Sequence, residues 1–400
     1  MSGPMAQSTL VLAAAALLLV LAAAPAHAGF GDFFCDADKP CECTCSCAFG
    51  VYFGESLCGY ANTTMDVADM QAIMSGANPD FADALDLYNN GRHSFRVDSN
   101  GTNTAGKRTM RGVATSPYTG EDYSELAKAQ HGGLSYLDRF FGAAVRGDGD
   151  YAGKCCGVRA EASIAGARWF SMIYSIHEIN AGMCYAQAEA TNSIKCGKTA
   201  IGWDNAASEA LHAMALVTGA DSLAQPDTAP FGTSSPANLW QVTQALNKCK
   251  KPGVYAPSNN NFLKSLTALV SEIKDKKSTG GMEAVYKDVE LAFATRFLQY
   301  SMASAVKAAA PKKKDVAASG TCRQSCYADS YLASARIYWK AAEPIVNRYA
   351  ATEVAPVNAV LDAAPSRKTA STLKKSYARI LDTMGAGKKL LKNACPKPRN

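Results

Sequence analysis

Along most of this chain the apolar positions recur at intervals of three and four, the period of helices that bury one side. "PDFADALDLYNNG" (79–91) predicts a helix opened by Pro79-Asp80 and closed by Gly91. "DYSELAKAQHGGLSYLDRFFGAAVRGDGD" (122–150) predicts two helical pieces, interrupted at Gly132-Gly133 and stopped at Gly147-Asp148-Gly149. The longest unbroken pattern is "RAEASIAGARWFSMIYSIHEINAGMCYAQAEA" (159–190). Further helices are predicted in "WDNAASEALHAMALVTG" (203–219), "NFLKSLTALVSEI" (261–273), "MEAVYKDVELAFATRFLQYSMASAVKAAA" (282–310) and "YADSYLASARIYWKAAE" (327–343). Pro-, Gly- and Ser-rich stretches at 225–236, at 252–260 and from Pro311 read as loops. Strand signals are sparse, so the fold class expected is all-α.

The pattern also repeats. "IAGARWF" (164–170) aligns with "LASARIY" (332–338), each on a helix that follows a cysteine-containing turn. "FFGAAVRG" (140–147) precedes the first and "SMASAVKA" (301–308) the second; further back, "LYNNGRHS" (87–94) matches "LVTGADS" (216–222). The same order in both halves predicts two related helical lobes, 61–200 and 201–365.

The ends of the chain read differently. Residues 10–24 are apolar, break at Pro25 and finish in Ala26-His27-Ala28, a small-x-small cleavage signature. Residues 1–28 are therefore expected to be a secretory signal, and the mature chain to be secreted, with no integral membrane segment. Export favours disulfides over free thiolates. All fourteen cysteines follow the signal: Cys35, Cys41, Cys43, Cys45, Cys47, Cys58, Cys155, Cys156, Cys184, Cys196, Cys249, Cys322, Cys326 and Cys395. The even count permits complete pairing. In "CECTCSC" (41–47) alternate cysteines of an extended strand lie about 6.6 Å apart, so they pair more readily with cysteines elsewhere. A small disulfide-rich module over 29–60 is expected; a thiolate cluster for a soft metal is the rival reading.

The formal charge of +6 is concentrated in the segment 366–400, where ten Lys and Arg residues, eight of them from Lys374 onward, face only Asp382. It reads as a basic tail able to touch an acidic cell wall or, more simply, as a solvated helix and a frayed end. No interleaving of aromatic and basic residues points to nucleic acid. Asn62 and Asn100 begin glycosylation sequons.

Four histidines follow the signal, His93, His131, His177 and His212, and none lies in an H-x-H or H-E-x-x-H motif. G-x-S-x-G and phosphate-loop motifs are also absent, which disfavours the common hydrolases. On the longest helix Tyr174, Glu178 and Tyr185 share a narrow stripe with His177 at its edge, opposite Met172, Ile176, Ile179 and Met183. Phenolate, carboxylate and imidazole donors suit a hard trivalent ion such as ferric iron. The same stripe reads alternatively as a solvated polar face. Glu209 and His212, spaced i,i+3, form a second pair of candidate ligands, and Tyr136 with Asp138 a third. Arg108 and Arg111 are candidates to hold an anion such as carbonate beside the iron.

The string "GKRTMRGVATSPYTGEDYSELAKAQHGGLSYLDRFFGAAVRGDGDY", followed by the Cys155-Cys156 pair, "EASIAGARWFSMIYSIHEINAGM" and "GWDNAASEAL", resembles the algal iron-assimilation (FEA-type) proteins. These are low-iron- or high-carbon-dioxide-inducible proteins of the algal periplasmic space, related to the phytotransferrins. The resemblance spans about 80 to 360. It implies capture of ferric iron outside the cell, with carbonate as a synergistic anion, and delivery to a surface uptake system. The function expected is binding without catalysis, in the algal periplasmic space or cell wall. Rival readings are a structural or adhesive wall protein and, less favoured, an extracellular metalloenzyme.

Overall fold

The computed structural model describes residues 47–48, 51–52, 58–97, 103–115, 118, 120–133, 135–218, 239–247, 256–312, 316–317, 321–387 and 391. The six cysteines Cys35, Cys41, Cys43, Cys45, Cys249 and Cys395, and Asn100, lie outside them. The described residues open with a short antiparallel pair, β1 (Cys47–Ala48) and β2 (Val51–Tyr52), before α1 (Cys58–Ser75), which carries Asn62 next to buried Thr63 and Thr64. Helix α2 (Phe81–Asn90) is capped as the sequence predicts: Asp80 Oδ1 accepts from the backbone N–H groups of Ala82 and Asp83, both at 3.0 Å. A second hairpin, β3 (Phe95–Val97) and β4 (Asn103–Lys107), pairs Arg96 with Thr104 and leads into the short α3 (Met110–Thr115).

Helix α4 (Asp122–His131) ends at Gly132 with φ 75°, a conformation that glycine tolerates at no steric cost. The next piece begins with a π-helical turn (Asp138–Gly142) and closes as α5 (Ala143–Arg146) on left-handed Gly147. Then come α6 (Cys156–Thr191), α7 (Trp203–Thr218), α8 (Leu239–Leu246), α9 (Pro257–Lys274), α10 (Thr279–Ala309), α11 (Thr321–Gln324), α12 (Tyr327–Ala350), α13 (Val354–Asp362) and α14 (Arg367–Thr383). The body is all-α, as expected. One boundary is corrected: α9 starts inside the stretch 252–260 expected as loop, because Pro257 occupies the first helical position, where its missing N–H costs nothing.

Helix α6 is the centre of the bundle, packing against α1, α7 and α12; α10 packs against α9 and α12, and α9 against α7. It is buried on nearly every side, so the expected solvated face is absent: Tyr174 and Glu178 are each 4% exposed, as inaccessible as the core stripe of Met172, Ile176, Ile179 and Met183. Small residues make this possible. A Cβ on Gly166 would fall 2.6 Å from Phe141, and one on Gly182 would fall 2.7 Å from the Ala206 carbonyl of α7. The backbones of α6 and α7 meet there.

The buried side chains of the described residues form one continuous core from Tyr60 to Leu391. Helices α6 and α12, which carry "IAGARWF" and "LASARIY", pack on each other, and disulfides Cys155–Cys326 and Cys156–Cys322 join the turns that precede them. A third, Cys184–Cys196, closes the turn after α6. Of the segment expected as a basic tail, 367–383 is helix α14, whose Leu373, Tyr377, Ile380 and Leu381 are buried while Lys374 and Lys375 face solvent. No helix among the described residues is long and apolar enough to cross a membrane.

Candidate metal centre

The close approach of α6 and α7 brings Glu178, Glu209 and His212 together. His212 Nδ1 lies 3.2 Å from Glu209 Oε2 and 3.4 Å from Glu178 Oε2, and one donor atom from each of the three falls within 4.8 Å of the others. Metal–ligand bonds of about 2.1 Å give donor separations of about 3.0 Å in an octahedron and about 3.4 Å in a tetrahedron, so His212 Nδ1 stands at a polyhedron-edge distance from each carboxylate. The other ring nitrogen, His212 Nε2, is buried with no hydrogen-bond partner. A buried orphan of this kind costs about 1–3 kcal/mol unless something fills the role of partner.

Aromatic and charged groups close on this trio. Tyr60, from α1, stacks on the His212 ring with centroids 3.9 Å apart and planes 16° from parallel. Tyr60 and Tyr174 have ring centroids 5.9 Å apart. The Arg108 guanidinium carbon sits 4.1 Å from the centre of the Tyr60 ring, and its charge faces Tyr174 and Glu178. The fold places Arg108 deliberately: its backbone N–H donates to Ser94 O at 2.8 Å, closing the β3–β4 hairpin. Asp66 of α1 braces the turn before that hairpin, accepting from Arg92 and His93 N–H at 3.0 and 2.8 Å. Next to Tyr174, Tyr118 stacks on His177 at 3.4 Å, and His177 Nδ1 meets Glu121 Oε1 at 2.5 Å.

The electrostatics follow from burial and from these neighbours. Burial alone would lower the His212 pKa, but Glu178 and Glu209 outweigh it and push the value up to about 9. Burial would raise Glu209; its hydrogen bonds to His212 and Glu178 hold it below the usual range instead. At neutral pH a protonated imidazole therefore neutralises two carboxylates, in the place where a metal cation would do so. Burial, then the Glu178 charge, drives the Tyr60 phenol far up, and burial does the same for Tyr118. Arg108 stays charged: burial opposes this, but Tyr174, Tyr60 and Glu178 hold its pKa above the ordinary value. Burial raises Glu121 despite its bond to His177.

Six residues singled out from the sequence thus share one region: Tyr174, His177, Glu178, Glu209, His212 and Arg108. Four lie apart from it. Tyr185 lies under the Lys198 ammonium, 5.1 Å from ring centre to nitrogen, and borders the site through the charge that Lys198 presents to Glu209. Asp138 belongs to a separate knot, accepting from Arg146 at 2.9 and 3.1 Å and from the Tyr88 hydroxyl at 2.5 Å. Burial would raise its carboxyl, but Arg146 and Tyr88 hold it low. Tyr136 is buried against His131 and Trp169. Arg111 is exposed on α3, its charge directed to the Tyr88–Asp138 knot. Conversely, Tyr60, Tyr118 and Glu121 were not anticipated. Tyr118 and Glu121 stand in "SPYTGED", inside the string that carries the family resemblance, and were open to that inference; nothing local marks Tyr60.

The donors offered are phenols, carboxylates and imidazoles with a guanidinium beside them and no thiolate or thioether, a set suited to a hard cation of high charge. The model of the family described as low iron-inducible periplasmic protein matches residues 41–381. No curated protein and no solved structure matches the chain.

Proposed function

Because the chain belongs to the low iron-inducible periplasmic protein family, we propose that it captures ferric iron outside the cell through Glu178, Glu209, His212 and the tyrosines Tyr60 and Tyr174. The observation that carries this reading is the pair of carboxylates at polyhedron-edge distance from a buried histidine whose second nitrogen has no partner. Arg108, cationic and facing the same tyrosines, is the group to hold a carbonate that completes the coordination. His177 and Glu121 orient Tyr118 and Tyr174 from behind. The activity is reversible binding rather than catalysis, followed by handover to a surface uptake system.

The chemistry supports capture followed by release. Ferric iron replaces the proton on His212 and the phenolic protons of the tyrosines, so each proton displaced makes affinity rise with pH. A buried, low-dielectric site strengthens the attraction between a trivalent ion and its carboxylates.

The test is a ferric titration of the oxidised protein, with and without bicarbonate, followed by visible absorption. A tyrosinate-to-iron charge-transfer band is expected, weakened in Tyr174→Phe, lost when Tyr60→Phe is added, and retained in Tyr185→Phe. Absence of ferric binding by the folded, disulfide-intact protein would refute the proposal.

A further inference from the structure

A second site lies on a different face of α6. A cavity of about 290 Å³ opens between α1, α6, α8, α10 and α12, and it shares no residue with the candidate metal centre. Glu161 and Arg168, seven residues apart on one face of α6, stand on one wall, and Lys307 of α10 on the other. Glu161 is already held by Arg323, with Nε 3.2 Å from Oε1. Arg168 donates to the Tyr338 hydroxyl and to Gln71 Oε1, both neutral, and Lys307 rests 4.7 Å from the centre of the Tyr331 ring. Behind the Tyr300 wall is Arg296, fully buried between Phe262 and Phe293, whose sole hydrogen bond among the described residues is from Nη2 to Asn259 at 3.0 Å. Its Nε and Nη1 have no partner.

Charge and donor chemistry together define a ligand. Arg168 and Lys307 line the cavity, and the one carboxylate among its walls, Glu161, already meets the charge of Arg323, so the interior carries a net positive charge; Arg296 lies behind Tyr300, outside the lining. Burial keeps the phenols of Tyr331 and Tyr338 above their ordinary pKa, so they add no negative charge at neutral pH. Glu161, Gln71, Ser304 and Ser334 nevertheless supply acceptors, which a fully deprotonated inorganic anion would leave facing its own oxygens. The matching ligand carries carboxylates for the Arg168 fork and the Lys307 ammonium, and hydroxyls for the acceptors. Val242 and Leu246 close one side against its carbon skeleton. We infer that this cavity binds a small hydroxylated polycarboxylate, held by Arg168 and Lys307.

The inference stands independently of iron and is tested without it. Citrate and malate, with inorganic phosphate as the comparison, are titrated calorimetrically into the iron-free protein. Lys307→Gln, at an exposed position, is expected to weaken citrate binding about tenfold, and Arg168→Gln about a hundredfold, with circular dichroism confirming the fold. Both variants keep the ferric affinity of the parent. Citrate affinity unchanged in folded Lys307→Gln and Arg168→Gln, tighter binding of phosphate than of either polycarboxylate, or no binding at millimolar citrate would each overturn it.

Discussion

At the scale of single residues, the candidate centre is a contest between a proton and a metal for the same three side chains. Glu178→Gln removes one of the two carboxylates that raise His212, so the His212 pKa should fall when followed by NMR, and ferric affinity should drop about a hundredfold or more. Asp138→Asn, which disturbs only the knot with Arg146 and Tyr88, should leave that affinity unchanged within about threefold. Equal losses in the two variants would place the iron elsewhere. His131 has a different task. Pro344 lies inside α12 and has no N–H to give the Lys340 carbonyl four residues earlier, a defect worth about 3 kcal/mol. His131 Nε2 meets that carbonyl at 2.9 Å, and the Tyr123 hydroxyl donates to the next carbonyl, Ala341, at 2.9 Å. His131→Ala should therefore cost about 1–3 kcal/mol in chemical denaturation and leave iron binding intact.

At the scale of helices, what the sequence made legible depends on how local the cause is. Asp80, Gly132 and Gly147 act on their own turns, and the predicted ends fall at those residues. The i,i+4 pair Tyr174 and Glu178 and the i,i+3 pair Glu209 and His212 follow from helical geometry and stand together in space. The candidates that lie apart fail for geometric reasons. Tyr136 and Asp138, two residues apart, point about 200° from each other around a helix axis. Tyr185 shares the stripe but lies about 10 Å further along it, and Lys198 covers its ring. Arg108 precedes α3 whereas Arg111 is within it, so the two guanidiniums diverge. Tyr60 and Tyr118 reach the centre by tertiary packing, which no periodicity records. That packing yields a prediction at the same scale: Gly182→Ala puts a methyl 2.7 Å from the Ala206 carbonyl and pushes α7 away from α6. It should destabilise the protein by about 1–3 kcal/mol and weaken iron binding. Gly280→Ala, where a Cβ meets nothing within 4 Å, should do neither. A Gly182→Ala protein with parental affinity would show that the helix spacing does not set the site.

For the whole molecule, two inter-helix disulfides and one continuous core make α6, α7 and α12 move together, so protonation at the centre registers as stability of the entire fold. Three buried groups with shifted pKa values divide the pH range. His131 is lowered to about 4, first by burial, so the unfolded chain takes up its proton first and stability is lost as pH falls from 6.5 toward 4. Glu290 is raised to about 7 by burial against the pull of Arg348, so its contribution is lost as pH rises from 4.5 to 7. These two oppose each other in mildly acidic solution. Between pH 7 and 9 the field is left to His212, whose value of about 9 exceeds its ordinary 6.5. Its stabilisation of the iron-free protein is complete below pH 6.5 and is lost as pH rises through 9. Iron reverses the sign, because it must displace that proton: from about pH 8 downward, affinity should fall at least about tenfold per unit for each proton released. Thermal melts of iron-free and iron-loaded protein across pH 7 to 9 should therefore diverge as pH rises, the first melting lower and the second higher. In Glu178→Gln or Glu209→Gln the His212 proton is held less tightly, and the iron-free curve should flatten over this window. Parallel melting curves for the two forms of the parent protein would mean that His212 does not exchange its proton for iron.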